Sequence, residues 1–376
     1  MARRGYDLAI VGGGAAGLTL ALALGHSGRR VVVLERSWAA VAARRWAFWS
    51  EAVPPFASAI ERSWSTLSVH DGQRAKPSAL DRFRYHMLTG AALLELVKGL
   101  PSIELRAAEV MGIEAGADRA EVVASDDSYQ ASFVLDSRPG QLTFTTPAGA
   151  PRLVQSFAGA TIECATPSFD PERPLLFDFR LARDGKFRFG YVLPLSAHRA
   201  HCDVVATDEG PVDLSAELAA YGLLLTGGEP MSVVAREGGH TELCGGDIER
   251  RVGERVLRIG IPGGRIQPSS GYGFMRCHRD AVAIVRSLDA HGHPFALPRA
   301  RRRDRFVERV FLEAMVAAPE AMPTVFCRMF GRNPADRVLA LLDERASLYE
   351  LVRVAASLPK RLFLRAAIRH FRRAWR

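Results

Sequence analysis

The chain has 376 residues, 48% of them hydrophobic and 24% charged, with a formal net charge of +9. Such a chain is an ordinary globular protein, long enough for a large core and for two or three structural units. Its five cysteines, Cys164, Cys202, Cys244, Cys277 and Cys327, form no C-x-x-C pair, which speaks against a metal site and a disulfide framework and for a reducing compartment. No apolar segment with a cleavage site precedes the first strand, and no uncharged run reaches the roughly 18 apolar residues that span a bilayer. A cytoplasmic location is expected.

Residues 6–36 read as strand, glycine turn, helix, second strand and acid. Gly12, Gly14 and Gly17 have the G-x-G-x-x-G spacing. Gly12 permits the tight turn, Gly14 lets a pyrophosphate approach the backbone, and Gly17 lets helix and strand lie close. The pyrophosphate belongs at the helix N-terminus, where N–H groups and the helix dipole favour negative charge. Glu35 ends the second strand and is placed to take ribose hydroxyls. Ala16 and Arg36 flank these positions and complete the candidate cradle. The alternative is a glycine turn without a ligand.

Residues 37–80 read as irregular, with Trp38, Trp46, Trp49 and Trp64 among prolines. A helix is expected over 90–99 and a strand over 102–106. An alternating pair follows at 120–124 and 132–136, ending at Asp136 beside the first sheet. From about 150 the texture changes to strands without helices between them: 152–164, 175–181, 186–193 and 199–206. Such a run predicts an antiparallel sheet. A helix over 212–224 follows, then a strand over 254–261 broken by Gly263-Gly264, then a helix from about 275 to 290. After 304 the chain reads as helical to its end, punctuated at Pro319, Pro323, Gly331, Pro334 and Pro359.

The fold class expected is therefore α/β. A Rossmann-like FAD-binding domain is made of 1–150 and 250–295. An antiparallel substrate domain is inserted at 151–249, and a helical section occupies 296–376. The choice of FAD over NAD rests on the late segment. There a second glycine turn, Gly263 and Gly264 followed by Gly271 and Tyr272, leads into a helix whose N-terminus would face the flavin ring. A plain strand-to-helix loop is the alternative.

The last residues, 360–376, read KRLFLRAAIRHFRRAWR. On a helix Leu364, Ile368, Phe371 and Trp375 share one face, with arginines mostly elsewhere. A basic amphipathic helix with aromatics fits a membrane surface; docking of that apolar face on its own domain is the alternative. No nucleic-acid-binding motif accompanies the basic charge.

Several segments resemble the bacterial lycopene cyclases. They are Gln155-Ser156-Phe157-Ala158-Gly159, Phe169-Asp170-Pro171, Phe189-Gly190-Tyr191-Val192-Leu193-Pro194-Leu195-Ser196, Arg258-Ile259-Gly260, and Pro268-Ser269-Ser270-Gly271-Tyr272. Asp136-Ser137-Arg138 stands where the family has Asp-Gly-Arg. Arg45-Trp46-Ala47-Phe48 is similar to its Thr-Trp-Ser-Phe stretch, which adds Arg45 to the cofactor candidates. The resemblance implies FAD, active in its reduced form with NAD(P)H as electron source, and a reaction without net redox change. A carboxylic acid protonates a terminal alkene, the cation is attacked by a neighbouring double bond, and proton loss leaves a cyclohexene. Such an acid needs a raised pKa in an apolar pocket, with negative charge placed near the cation.

Two departures from the family pattern stand out. Its key glutamate aligns with Asp203, in His201-Cys202-Asp203-Val204-Val205. Asp203 is the proposed proton donor; simple pairing with His201 or an arginine is the alternative. The family's Glu-x-Gly-Val-Ile-Pro-Met is here Glu237-Gly238-Gly239-His240-Thr241-Glu242-Leu243. Glu237, His240 and Glu242 are secondary candidates for proton transfer, against the alternative of a solvated turn. The reading is an acid-initiated cyclase of a polyene or isoprenoid substrate, held peripherally at the membrane by residues 360–376. An FAD-dependent hydroxylase using NAD(P)H and O2 on a natural-product metabolite is the alternative.

Overall fold

The computed structural model describes residues 5–139, 150–181 and 185–374. Met1 to Arg4, Gly140, Trp375 and Arg376, which the sequence reading touches, lie outside these residues. The first sheet has eight strands. Its parallel centre places Gly5–Val11 between Val31–Glu35 and Ser128–Asp136, with Ile103–Ala107 and Val256–Arg258 outside them. Continuous apolar runs such as Leu8-Ala9-Ile10-Val11 suit strands covered on both faces. Helices Ala15–Leu24 and Phe274–His291 cover one face, packing Leu18 and Leu20 with Phe274, Ile284 and Leu288. The antiparallel pair Val110–Ala115 and Ala120–Ala124 extends the sheet, and Ala120 and Val122 join the core of the other face.

The second sheet has seven strands. In order these are Met231–Cys244, Arg152–Cys164, Arg199–Asp208, Phe187–Pro194, Leu175–Asp178, Thr66–His70 and Ala75–Ala79. All neighbours are antiparallel except Leu175–Asp178 with Thr66–His70. The irregular reading of 37–80 is therefore corrected. That stretch forms the helix Trp38–Ala43, two strands of this sheet, and two strands (Arg45–Ser50 and Ile60–Trp64) of a three-stranded sheet completed by Arg84–Thr89. Its strands are short and their partners distant in sequence, so local alternation is weak.

Smaller corrections have local causes. The strand expected over 175–181 stops at Asp178, because the Arg180 backbone N–H and guanidinium both return to the Asp178 carboxylate. The strand expected over 254–261 is limited to Val256–Arg258, since Ile259 already enters the glycine turn. Pro323 and Gly331 do not break a helix. Pro323 lies in the first turn of Met322–Arg332, where its missing N–H costs nothing, and Gly331 lies inside that helix. The stretch 237–243 is no turn but the interior of the strand Met231–Cys244.

The C-terminal helices Arg302–Ala317, Met322–Arg332, Ala335–Leu342, Leu348–Ser357 and Lys360–Ala374 cover the second sheet. Phe326 is fully buried against it. Its ring stacks on Phe187 with centroids 5.5 Å apart and lies 4.6 Å from Phe177. The helical section is thus part of the sheet's core rather than an appendage. Phe326→Ala is expected to cost about 3–5 kcal/mol, read as a lowered midpoint in urea unfolding; a midpoint within error of wild type would refute this packing.

Candidate active site

The first glycine turn joins the Gly5–Val11 strand to the Ala15–Leu24 helix. Gly12 has φ +97°, a region closed to most side chains. A Cβ on Gly17 would run into the Gly12 carbonyl oxygen. Around Gly14 the space is open, and no side chain caps the helix and no acid sits in its first turn. This is the donor-rich, unblocked helix end a pyrophosphate needs. Glu35 is fixed beside it, accepting the Gly13 N–H at 2.7 Å and the Ser37 N–H at 2.9 Å. Ala16 lies in the helix's first turn, and Arg36 is exposed next to Glu35.

The strand ends bring the other cofactor candidates here. Asp136 is in register with Val11 and binds the Arg138 guanidinium through both oxygens, at 3.0 and 2.9 Å. Gly260 comes down beside Ala16, so the turn carrying Gly263 and Gly264 closes over the same helix end. Gly271 abuts Gln155, and Tyr272 meets Trp49 edge to face with centroids 4.4 Å apart. The Arg45 Nε is buried without a hydrogen-bond partner among the described residues. An open helix end, an acid at the ribose position and this orphaned donor fit an adenine dinucleotide.

The acid cluster lies on the second sheet. Tyr191, Asp203, Gly159 and Glu237 stand side by side across four strands. His201, two residues before Asp203, shares its face by the period of two. A Cβ on Gly159 would collide with the Asp203 carboxyl and press on Glu237. Glycine there lets the two carboxyls approach. His201 Nε2 lies 2.8 Å from Asp203 Oδ2 and 3.0 Å from Glu237 Oε1. The approach is off the hydrogen-bond direction, so neither Asp203 oxygen takes a well-directed hydrogen bond among the described residues. Thr161 Oγ1 holds the other ring nitrogen, Nδ1, at 3.3 Å. At the sheet edge Arg44 lies 3.5 Å from Glu237 Oε2 and donates to the Gly238 carbonyl at 3.3 Å.

Burial pushes the Asp203 pKa up, against the pull of His201. Burial alone would lower His201, but Asp203 and Glu237 outweigh it and raise it to about 9. Arg44 stands beside Glu237, and Asp203 has no cation of that kind beside it. Burial also raises Tyr85, Tyr191 and Tyr272, and they stay neutral phenols. The three donors of His201, Asp203 and Glu237 lie within 4.8 Å of one another. A dication there would face the Arg44 charge, 3.5 Å from Glu237 Oε2.

The structure unites Asp203 with Glu237 and separates them from the other two catalytic candidates. His240 and Glu242 are exposed and point to the opposite side of their strand. They form no pair with the cluster, which corrects their expected role. The pairing of Asp203 with His201 that the sequence left as an alternative is present, but in a buried trio rather than a simple ion pair. Sequence reasoning did not single out Tyr85, Tyr191, Gly159 or Arg44. The alternation His201-x-Asp203 was the signal available for His201.

The C-terminal helix Lys360–Ala374 docks by Leu362, Phe363, Ala366 and Ala367. Leu364, Ile368 and Phe371 remain exposed, although Phe371 leans on Phe306 with ring centroids 5.6 Å apart. Docking through the 364–368–371 face is thereby corrected. Among the described residues no single helix is long and apolar enough to cross a membrane.

Comparison with known proteins places the chain. The family described as lycopene cyclase protein matches residues 7–368. No curated protein matches. Among solved structures, the flavin-dependent brominase Bmp2 is 14% identical with TM-score 0.63, covering 99% of this chain and 100% of its own. The anhydrotetracycline hydroxylase OxyS from Streptomyces rimosus is 17% identical with TM-score 0.59, over 91% and 76%. A geranylgeranyl bacteriochlorophyll reductase-like protein from Thermoplasma acidophilum is 12% identical with TM-score 0.59, over 96% of each. At these identities the likeness is one of fold, the flavoprotein fold. Matched along nearly its whole length, this chain belongs to the lycopene cyclase family.

Proposed function

We propose that this chain is an FAD-dependent cyclase that closes a ring in a polyene or isoprenoid by protonating an alkene. The observation that carries the reading is Asp203: fully buried, unsatisfied by directed hydrogen bonds, and held among Tyr85, Tyr191 and Tyr272. A carboxyl in that setting keeps its proton and has no water to lose it to. Asp203 gives the proton to a terminal alkene carbon, forming a C–H bond and leaving a tertiary cation. The next double bond supplies its electron pair to close the ring. A ring C–H then breaks, its electrons become the new ring double bond, and the proton returns to a carboxylate. The product is an isomer of the substrate.

The aromatic faces nearby favour the cation, and the Glu237 carboxylate adds negative charge on the same sheet face. The two glycine turns would hold FAD, which in its reduced form, with NAD(P)H as electron source, would supply further negative charge for the cation. Glu35 and the Gly13–Ala16 turn hold its adenosine and pyrophosphate; Asp136, Arg138 and Arg45 line the approach to the rest. The aspartate is one methylene shorter than the family's glutamate, which sets the depth at which the alkene must lie.

The substrate class implies a lipid phase, and the tail supplies a matching surface. Leu364, Ile368 and Phe371 are exposed among Arg361, Arg365 and Arg372, and Leu348, Tyr349 and Val352 add exposed apolar area on the preceding helix. We place the enzyme peripherally on the cytoplasmic face of the membrane through this surface.

Anaerobic incubation of the reduced holoenzyme with polyenes is expected to give a product of unchanged mass and altered retention. Asp203→Asn should lower that rate by about 10²–10⁴-fold with FAD still bound, and the wild-type rate should fall as pH rises through the raised Asp203 midpoint. A product heavier by one oxygen, formed only in air, would establish the hydroxylase reading instead. In flotation with anionic vesicles, the triple variant Leu364→Ser, Ile368→Ser, Phe371→Ser should lose most of the bound fraction; flotation equal to wild type discards the membrane surface.

A further inference from the structure

We propose that His201 and Glu237 form a proton relay that reloads Asp203 from solvent at the Arg44 edge of the sheet. The relay's purpose rests on the cyclase reading; its geometry does not. Asp203 is empty after each protonation step and must be reloaded whenever the ring proton does not come back to it; its side chain is 0% exposed, so water cannot refill it directly. Exposure climbs in one direction only: His201 is 2% exposed, Glu237 7% and Arg44 39%. The same nitrogen, His201 Nε2, is within 3.0 Å of a carboxyl oxygen on both sides. A small tilt of the ring, with no exchange of ring nitrogens, therefore suffices to aim Nε2 first at one carboxyl and then at the other.

The steps balance. Nε2–H breaks as the proton bonds to the Asp203 carboxylate, leaving a neutral imidazole that keeps its proton on Nδ1, facing Thr161 Oγ1. Glu237, protonated from water at the edge, then gives its proton to Nε2 and returns to carboxylate. The Arg44 guanidinium, 3.5 Å from Glu237 Oε2, holds the carboxyl at that edge. Gly159 keeps the path short, since a side chain there would wedge the two carboxyls apart. Of the other titratable groups near Asp203, Tyr85, Tyr191 and Tyr272 are neutral phenols with pKa values raised by burial, and burial likewise raises the Cys202 thiol, so none competes. Glu237 and His201 touch no reacting carbon in this scheme; they act through Asp203.

The test needs no substrate. In the FAD-loaded full chain, the Asp203 acid C=O stretch is identified in the infrared by its loss in Asp203→Asn. Transfer into D2O shifts the band as COOH becomes COOD. The relay predicts that His201→Asn slows this exchange by roughly a hundred-fold, on the scale of a positioned proton-transfer group, with folding checked by circular dichroism and FAD retention. Glu237→Gln, at the exposed end, should slow it similarly and stands in if His201→Asn fails to fold. Arg236→Ala, an exposed neighbour on the other side of the strand, should leave it unchanged. Exchange as fast as wild type in either relay variant overturns the relay. Absence of the Asp203 band in the wild type overturns the acid assignment together with the relay. A mass-neutral product alongside unslowed exchange overturns the relay alone.

Discussion

A carboxyl group placed in a protein interior must be paired, ionised at a cost, or left protonated, and the site of this enzyme depends on how Asp203 resolves that choice. The sheet offers it one imidazole already shared with a second carboxyl and, among the described residues, no well-directed donor. Glu237 has a guanidinium within reach, whereas burial raises the Asp203 pKa against the pull of His201. The arrangement depends on Gly159, the one position in the row where a side chain would separate the two acids.

The remainder of the fold brings that proton to a cofactor face. The first sheet supplies two glycine turns that close over one helix end, and the second turn runs on through Gly271 and Tyr272 toward the acid cluster. Glu308, buried in the C-terminal section, fixes that run by accepting from Gln267 Nε2 at 2.7 Å and the Ser269 N–H at 3.1 Å. The helical section therefore positions the site as well as covering the sheet. The solved structures with this fold include a brominase and a hydroxylase, so the fold alone does not name a reaction. The buried acid is what separates the cyclase reading from oxidative chemistry here.

Much of this was legible because the signals are local. Gly12, Gly14, Gly17 and Glu35 sit within one strand-turn-helix-strand unit, and the strand Arg152–Cys164 has the bounds read from the sequence. Asp203 could be read as buried because Val204 and Val205 follow it in an apolar strand. What escaped is non-local. The strands Thr66–His70 and Ala75–Ala79 belong to a sheet whose other members lie about a hundred residues later. His240 and Glu242 are separated from Glu237 by the parity of one strand, which a turn reading could not register. Tyr85 comes to Asp203 and Arg44 to Glu237 from distant segments, and nothing in either segment announces it.

The central claim is that Asp203 holds a proton at neutral pH. Carbon-13 NMR of protein labelled at the aspartate carboxyls, with the Asp203 resonance assigned by its loss in Asp203→Asn, measures this directly. The account predicts a protonated Asp203 at neutral pH, titrating above the ordinary aspartate range. An Asp203 resonance that is already ionised at neutral pH, with an ordinary aspartate midpoint, would contradict it.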